Sequence, residues 1–511
     1  MSGLVALHQT CSPDSSFVYK SAMCGFIGIV DQDRVAGQLS TGLQALQHRG
    51  QDSCGIFTYD GAHFPGHRGL GLVRDVFDRP AVERLYGTAG LGHVRYPTAG
   101  KGVLADTQPF FERRPGVIMA HNGNVTNYEE LERSLSSRSI HLVSRCDVEP
   151  ILCIFSDEVM NRRRVNHTAD DVAAALRDTV RMVHGAYSVV FVMEVDGEPT
   201  LVAFRDPHGI RPLVMGRRGD AWCVTSESVS LDALDFTLVG ELEAGEVGFF
   251  RAGKEPVRRM LEQRTSTPCV FEAIYFSRPD SVQNGETVYE RRLSLGRRLA
   301  ADFASRGLSA DRVIPVPDTS RPAAIAFAEE LGLPCREGFI KNRYSGRTFI
   351  MGSQEGRETA LRLKLNLIRS EFEGQRVVVI DDSIVRGSTI RRLLDLVWAQ
   401  GPKEVHFAIH APPVLNPCFY GIDMSTEDEL AAPQYIGQSP RIGGLSSEDQ
   451  RAMEERWAKE LGVDSLTFLS VEGLNEVFPG QRCAACFDGM YPMPVSEDHR
   501  LAIVRDRLAC S

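Results

Sequence analysis

Cys24 follows Met23 directly and opens the apolar run Cys24-Gly-Phe-Ile-Gly-Ile-Val30, which predicts a buried strand with a thiol at its first residue. A lone buried cysteine is ordinarily core packing. Here, either initiation at Met23 with methionine removal or cleavage of a leader over residues 1–23 leaves the thiol beside a free α-amine. Such an amine has an ordinary pKa of about 7.7–8.0 and can take the thiol proton, so one residue supplies both nucleophile and base. Amide hydrolysis also needs donors for a tetrahedral oxyanion and groups that hold a charged substrate. Gly92-His-Val-Arg95-Tyr-Pro-Thr98 sets an arginine at a strand end, and His121-Asn122-Gly123-Asn124 ends another strand with an amide and a flexible backbone N–H. Arg95 can hold a carboxylate, Asn122 and Gly123 an oxyanion, and Asp147 an ammonium group; these are the two charged ends of an amino acid and the reacting centre between.

A second constellation lies far along the chain. Arg376-Val-Val-Val-Ile380 runs into Asp381-Asp382-Ser-Ile-Val-Arg-Gly387-Ser388-Thr389, and Ile390 begins a helix. Two carboxylates at a strand end can face ribose hydroxyls and a magnesium ion, while the Gly-Ser-Thr turn offers N–H groups and hydroxyls to a phosphate at a helix N-terminus. An Asp-Asp pair alone is usually a solvated turn, but the β-branched run before it and the loop after it argue otherwise. No Walker loop of the GxxxxGKS/T form occurs, which disfavours a nucleoside triphosphatase. Of 12 cysteines, only Cys483 and Cys486 have CxxC spacing, which reads as a redox pair, half of a zinc site or two buried thiols, with zinc the natural guess on spacing alone.

Elements able to position these groups fall into two classes. Up to about residue 250, short apolar strands (Gly90–Arg95, Val117–Ala120, Tyr187–Met193, Leu201–Phe204) alternate with helices over Gln38–Gln47, from Asn127 onward with a capping pattern, and over Asp170–Val183, implying a layered α+β domain. The charged stretch Arg251–Thr267 reads as a connector. Beyond it, helix Arg292–Arg306, strand Val313–Val316, helix Ala323–Leu331, strand Arg376–Ile380, helix Ile390–Ala399 and strand Val405–Ile409 form βαβ units, implying a parallel α/β sheet with ligands at its carboxyl edge. The tail from about Asp423 reads as acidic and helical in places.

Composition narrows the function classes. The 511 residues carry 57 basic and 67 acidic side chains, a formal charge of −10, so nothing draws the protein globally to nucleic acid or anionic lipid. No window reaches the length of a transmembrane helix, and the first 23 residues lack a signal-peptide pattern, which predicts a cytoplasmic protein without membrane partners. In that reducing compartment the thiols are expected to be catalysts, metal ligands or small core residues.

The motifs at Cys24, Leu46-Gln-His-Arg-Gly-Gln-Asp52, Gly92 to Tyr96 and His121 to Asn124 together resemble the N-terminal-nucleophile (αββα) glutaminase domain of the glutamine amidotransferases. The resemblance implies Cys24 as nucleophile, Asn122 and Gly123 as oxyanion hole, and Arg49, Gly50, Arg95, Thr98 and Asp147 as glutamine contacts. Two positions depart from the family pattern: Pro97 stands where serine is usual, and Cys146 where a small polar residue is common. The loop from Asp381 to Thr389 resembles the phosphoribosyl pyrophosphate (PRPP) signature of type I phosphoribosyltransferases. That likeness implies that Asp381 and Asp382 bind ribose and Mg²⁺, that Ser383, Arg386, Gly387, Ser388 and Thr389 hold the 5′-phosphate, and that Asp318, Thr319 and Ser320 face pyrophosphate, with Thr319 at the metal. Lys341, Arg343 and Tyr344 lie in a segment that by itself reads as a plain basic surface loop, and by resemblance as the loop that closes over pyrophosphate.

Glutaminase before phosphoribosyltransferase resembles the order in the glutamine phosphoribosylpyrophosphate amidotransferase family, with boundaries expected at 24–255 and 268–500. The resemblance implies the first step of de novo purine synthesis from glutamine and PRPP, one Mg²⁺ per subunit, inhibition by purine nucleotides and a homotetramer. It extends to the iron–sulfur branch, whose ligand contexts match at Cys269, Cys418, Cys483 and Cys486, implying one 4Fe–4S cluster of structural role. Other readings are a glutaminase feeding a sugar isomerase or an asparagine-forming domain, against which the Asp381 loop argues, and a regulator that only binds PRPP, which would be expected to carry a basic DNA-reading element.

Overall fold

The computed structural model describes residues 24–96, 104–162, 166–342, 365–424, 426–437 and 442–495. Its first half is two antiparallel sheets packed face to face. One has seven strands in the order Thr237–Glu241, Val214–Arg218, Ala221–Thr225, Gly25–Val30, Ala89–Arg95, Ser53–Tyr59 and Gly66–Leu70. The other has six, ordered Val257–Met260, Glu246–Phe250, Glu198–Arg205, Gly185–Val195, Val117–Val125 and Phe110–Glu112. Strand pleat explains the layering: in Gly25–Val30, Phe26 and Val30 point into the apolar layer between the sheets, against Val190 and Leu201, while Ile27 and Ile29 point outward to the helix Ala36–Ala45. The opposite outer face is covered by the helices Val148–Met160 and Ala169–Met182. The result is the expected αββα stack.

Leu39, Leu43 and Leu46 are all fully buried on one face, as their spacing implies, although the helix that carries the first two begins earlier than expected. Helix Ala169–Met182 opens with a reciprocal capping box between Thr168 and Asp171. The cap expected at Asn127 is absent; the Asn127 amide instead donates to the Met182 carbonyl and accepts from the His184 N–H, tying two segments together. Helix Val148–Met160 escaped the sequence reading because most of its circumference is buried and no polar stripe marks its period. The connector expected over 251–267 carries the strand Val257–Met260, which pairs with Glu246–Phe250 and completes the second sheet beyond residue 255.

The second half holds a four-stranded parallel sheet ordered Arg312–Pro315, Arg376–Asp381, Glu404–Ile409 and Ser465–Phe468. Val377, Val378, Val379 and Ile380 are buried without exception, because helices cover both faces of such a sheet. The tail expected to be helical in places supplies both the helix Ser447–Leu461 and, unexpectedly, the fourth strand. Between the halves, one wide helical turn, Glu272–Phe276, buries Ala273 and Ile274 in the second core.

Candidate functional site

Cys24 sits where the first strand enters the sandwich, with 9 % of its surface exposed. Its Sγ lies 3.7 Å from the Tyr96 carbonyl, which can accept but not remove a proton. Burial pushes the thiol up, against the pull of Arg95, so the resting group is neutral and needs a base. Arg95 ends the neighbouring strand, buried, with Nη2 3.8 Å from Asp106. Asp147 immediately precedes helix Val148–Met160; its Oδ2 accepts from the Val125 N–H at 3.1 Å and lies 3.2 Å from His121 Nε2. Burial works against the Asp147 carboxylate, but His121, the Val125 N–H and Arg95 outweigh it and hold it below the usual range.

Asn122 carries the most telling feature of this half. Its side chain is 1 % exposed, and Nδ2 has no hydrogen-bond partner among the described residues. A buried amide donor left unmatched is costly unless a ligand satisfies it. Gly123 follows, and a Cβ there would stand 2.0 Å from the Ala186 carbonyl, so only glycine fits this strand crossing. Arg95 and Asp147 lie within electrostatic reach of Cys24, and His121, next to Asn122 in the strand, meets Asp147.

Arg49, predicted to hold glutamine, is enclosed: Nε donates to the Cys24 carbonyl at 3.0 Å, Nη1 to Glu227, and Nη2 to both oxygens of Glu272 at 3.0 and 3.1 Å. Its guanidinium is therefore engaged by two buried carboxylates and by the Cys24 carbonyl. Glu227 also lies 2.8 Å from His48 Nε2 and accepts from Ser281 at 2.6 Å, and these partners together with Arg49 hold its pKa far down despite burial. The Gly50 carbonyl accepts from Gln47 Nε2 at 2.5 Å, while Pro97 and Thr98 lie outside the described residues.

At the second site, Asp381 ends its strand and Asp382 turns back toward the adjacent one. Asp382 accepts from Thr319 Oγ1 at 2.5 Å and from Ser383 Oγ at 2.6 Å, and its N–H donates to Asp381 Oδ1 at 2.9 Å. Burial pushes both carboxyls up; the Asp382 charge adds to this at Asp381, while Ser383, Thr319 and Arg292 counter it at Asp382. A cation beside the pair would restore both charges. Asp318 meets Lys341 at 2.9 Å and Arg321 at 3.3 Å, whereas Ser320 is fully buried and donates to the Val316 carbonyl. Arg386 lies 3.9 Å from Asp423, and Gly387 caps the helix Ser388–Trp398 at the proposed phosphate position. Arg343, Tyr344 and the side chains of Ser388 and Thr389 lie outside the described residues.

Arg292 was missed. Buried, it donates to the carbonyls of Ala273 at 2.8 Å, Tyr275 at 3.2 Å and Ser277 at 2.8 Å, which binds the wide turn to the helix Val288–Ala304 and sets its charge toward Asp382. Burial lowers its pKa to about 10. Neither Arg292 nor the two glutamates carries a local sequence signal, since their partners are distant in the chain.

Cys269, Cys418, Cys483 and Cys486 line one cavity with Arg211, Phe271, Tyr420 and Tyr491. Cys269 and Cys483 pair as a short parallel bridge, and the Cys486 carbonyl accepts from the Leu415 and Asn416 N–H groups. Burial pushes all four thiols up, Cys269 to about 12. Among the described residues, no group of three or more His, Cys, Asp or Glu converges tightly enough to hold a single metal ion.

An αββα sandwich with a thiol at the head of its first strand, joined to a parallel sheet with paired aspartates at its edge, is the architecture of a glutamine amidotransferase domain followed by a phosphoribosyltransferase domain. Comparison agrees: family models described as "Glutamine amidotransferase domain" and "Phosphoribosyl transferase domain" match residues 97–233 and 286–413. The chain is 41 % identical over 484 residues to an amidophosphoribosyltransferase of Methanothermobacter thermautotrophicus, covering 93 % of this chain and 95 % of the relative. Against the Escherichia coli amidophosphoribosyltransferase it is 42 % identical over 421 residues, covering 80 % of this chain and 83 % of that one. A solved structure of glutamine PRPP amidotransferase from B. subtilis, complexed with ADP and GMP, superposes with a TM-score of 0.80 at 36 % identity, covering 93 % of this chain and 98 % of that one. The chain belongs to the amidophosphoribosyltransferase family, the enzymes of the glutamine-dependent first step of purine biosynthesis.

Proposed function

We propose that this chain converts glutamine, PRPP and water to 5-phosphoribosylamine, glutamate and pyrophosphate, with the division of labour that its two sites suggest. The observation that carries the reading is the unmatched, buried Asn122 Nδ2 on one chain with Cys24, which lies within electrostatic reach of Arg95 and Asp147, and with the Asp381-Asp382 loop. The α-amine freed at Cys24 by removal of residues 1–23 takes the thiol proton, and Sγ attacks the carboxamide carbon. Asn122 Nδ2 and the Gly123 N–H receive the oxyanion; collapse expels ammonia, which takes the proton, and leaves a thioester that water hydrolyses to glutamate. Arg95 and Asp147 hold the α-carboxylate and α-ammonium of glutamine, aided by Gly50 and Thr98. Arg49 acts on the Cys24 carbonyl.

Ammonia then displaces pyrophosphate from C1 of PRPP in the second domain. Asp381 and Asp382 hold the ribose hydroxyls, Ser383 and Arg386 to Thr389 the 5′-phosphate, and Asp318, Thr319, Lys341, Arg343 and Tyr344 the pyrophosphate side. Ser320 supports the loop through its Val316 bond. One Mg²⁺ held by Thr319, Asp381 and Asp382 would neutralise the departing pyrophosphate; what supports a cation there is the pair of adjacent buried carboxyls, both pushed up by burial. Closure of the basic loop would exclude water and shield ammonia, which in bulk water at neutral pH is protonated and unreactive.

The four cysteines fit a 4Fe–4S cluster, which would supply a structural clamp and no redox step, since the reaction moves no electrons. What supports it is that the four thiols line one shared cavity. We further place the enzyme in the cytoplasm as a homotetramer inhibited by purine nucleotides. Support for the first is that no helix among the described residues is long and apolar enough to cross a membrane, and for the last that the B. subtilis structure holds ADP and GMP. Glutamine-dependent pyrophosphate release, abolished in Cys24→Ala while ammonia still supports it, tests the whole scheme; failure of ammonia rescue overturns it.

A further inference from the structure

The four-cysteine cavity and the glutaminase site touch in two places. On one side, Arg211 is 1 % exposed and lines the cavity, and its Nη1 meets Glu272 Oε1 at 3.1 Å. The same Glu272 oxygen accepts from Arg49 Nη2, and Arg49 Nε in turn holds the Cys24 carbonyl. Arg211 Nε and Nη2 have no hydrogen-bond partner among the described residues, although both are buried. A buried guanidinium with spare N–H groups, facing four thiols, is matched to an anionic occupant that can accept them.

On the other side, Asn124 Nδ2 donates to the Phe419 carbonyl at 2.9 Å, directly after Cys418. Gly421, at φ +100°, closes this loop so tightly that a Cβ would stand 2.6 Å from Arg211 Nη2 and 3.2 Å from the Gly123 carbonyl carbon. The loop carrying Cys418 thus lies against the oxyanion strand, while Arg211 leads to the nucleophile.

We propose that the four-thiolate centre braces both halves of the glutaminase site, through Arg211, Glu272 and Arg49 to Cys24 and through Phe419 and Asn124 to Gly123, with Glu272 as the central positioning residue. This rests on the cluster reading above. With its charge compensated by Arg211, the occupant fixes the Glu272 carboxylate, and Glu272 sets the angle at which Arg49 holds the strand bearing the thiol. Residues that orient a reacting group from one step away typically matter about 10–100-fold.

The test compares wild type, Glu272→Gln, Glu272→Asp and Gly421→Ala, purified anaerobically, by iron and sulfide content, by the rate at which a glutamine-like chloroketone alkylates Cys24, and by glutamine- and ammonia-dependent turnover. Glu272→Gln is expected to keep iron, sulfide and ammonia-dependent turnover, while Cys24 alkylation and glutaminase kcat fall about tenfold with little change in glutamine KM. Glu272→Asp should recover part of the loss, and Gly421→Ala should slow alkylation by pressing on Gly123. Oxygen bleaching of wild type should lower alkylation in step with cluster absorbance while far-ultraviolet dichroism stays constant; in Glu272→Gln, bleaching should change little further. Normal Cys24 reactivity in an iron-loaded Glu272→Gln, or in bleached wild type, overturns the brace and leaves the cluster reading standing. Zinc or empty thiols in the purified protein overturn the cluster reading, and with it the charge argument at Arg211.

Discussion

The glutaminase site lies at antiparallel strand ends sealed between helical layers, whereas the phosphoribosyl site lies at the carboxyl edge of parallel strands. In the first, Arg49, Glu227, Glu272 and Asp147 are buried and already partnered, while the Asn122 amide is a buried donor without a hydrogen-bond partner among the described residues. In the second, burial pushes the paired carboxyls of Asp381 and Asp382 up, so they resist joint ionisation. On the proposed reading, one site is preorganised by the protein and the other would be completed by a bound cation. Preorganised dipoles suit a reaction that develops an oxyanion, while a metal-completed site suits a highly charged substrate that brings its own anions.

Cys24→Ala should break the comparison most sharply, with glutamine-dependent turnover falling below detection and ammonia-dependent turnover retained, measured as pyrophosphate release. Asn122→Ala removes one oxyanion donor and should lower glutaminase kcat about 10²–10³-fold without moving glutamine KM, again sparing the ammonia reaction. Glu227→Gln tests the preorganised side through stability. It leaves Arg49 with Glu272 as its one remaining carboxylate partner, so the loss should fall at or below the roughly 3–5 kcal/mol of breaking a buried pair outright, seen as a lower denaturant midpoint at pH 7. Because the folded pKa of Glu227 is depressed, its contribution is present above the unfolded value of about 4.3 and is lost as pH falls toward the folded one, so the gap between variant and wild type should narrow in acid.

A pH series sharpens the contrast further. The Asp381 and Asp382 pKa values are raised and that of Asp147 is lowered, so acidification should raise the Mg²⁺ requirement of ammonia-dependent synthesis at a pH where glutamine KM is still flat. Equal acid limbs would remove the distinction between the two sites. The smallest effect belongs to neither: Thr168→Ala, which removes a helix cap outside both sites, should cost about 1 kcal/mol and leave both activities unchanged.

Local chemistry was readable in the sequence wherever a few consecutive residues suffice. The strand-opening Cys24, the Asp381-Asp382 loop and helix Ala169–Met182 depend on period and on neighbours; Asn122 and Gly123, expected at the end of a strand over Val117–Ala120, instead lie within the strand Val117–Val125, paired with Ser188 and Tyr187. Helix Val148–Met160 and strand Ser465–Phe468 were not legible, the first because burial on most sides erases amphipathic contrast, the second because a four-residue strand in an acidic tail is set by its partner Glu404–Ile409.

The sequence by itself determined which residue types are present for nucleophilic attack, phosphate binding and thiolate ligation, because those rest on short motifs. The tertiary structure alone decided how Arg49 is used, since its carboxylate partners lie 178 and 223 positions away, and an ion pair leaves no periodic trace in the chain. It also decided that Cys269, Cys418, Cys483 and Cys486 share one cavity against the oxyanion strand. Pairing at such separations follows from which buried charges and thiols the packed sheets bring together, and that is a property of the folded whole.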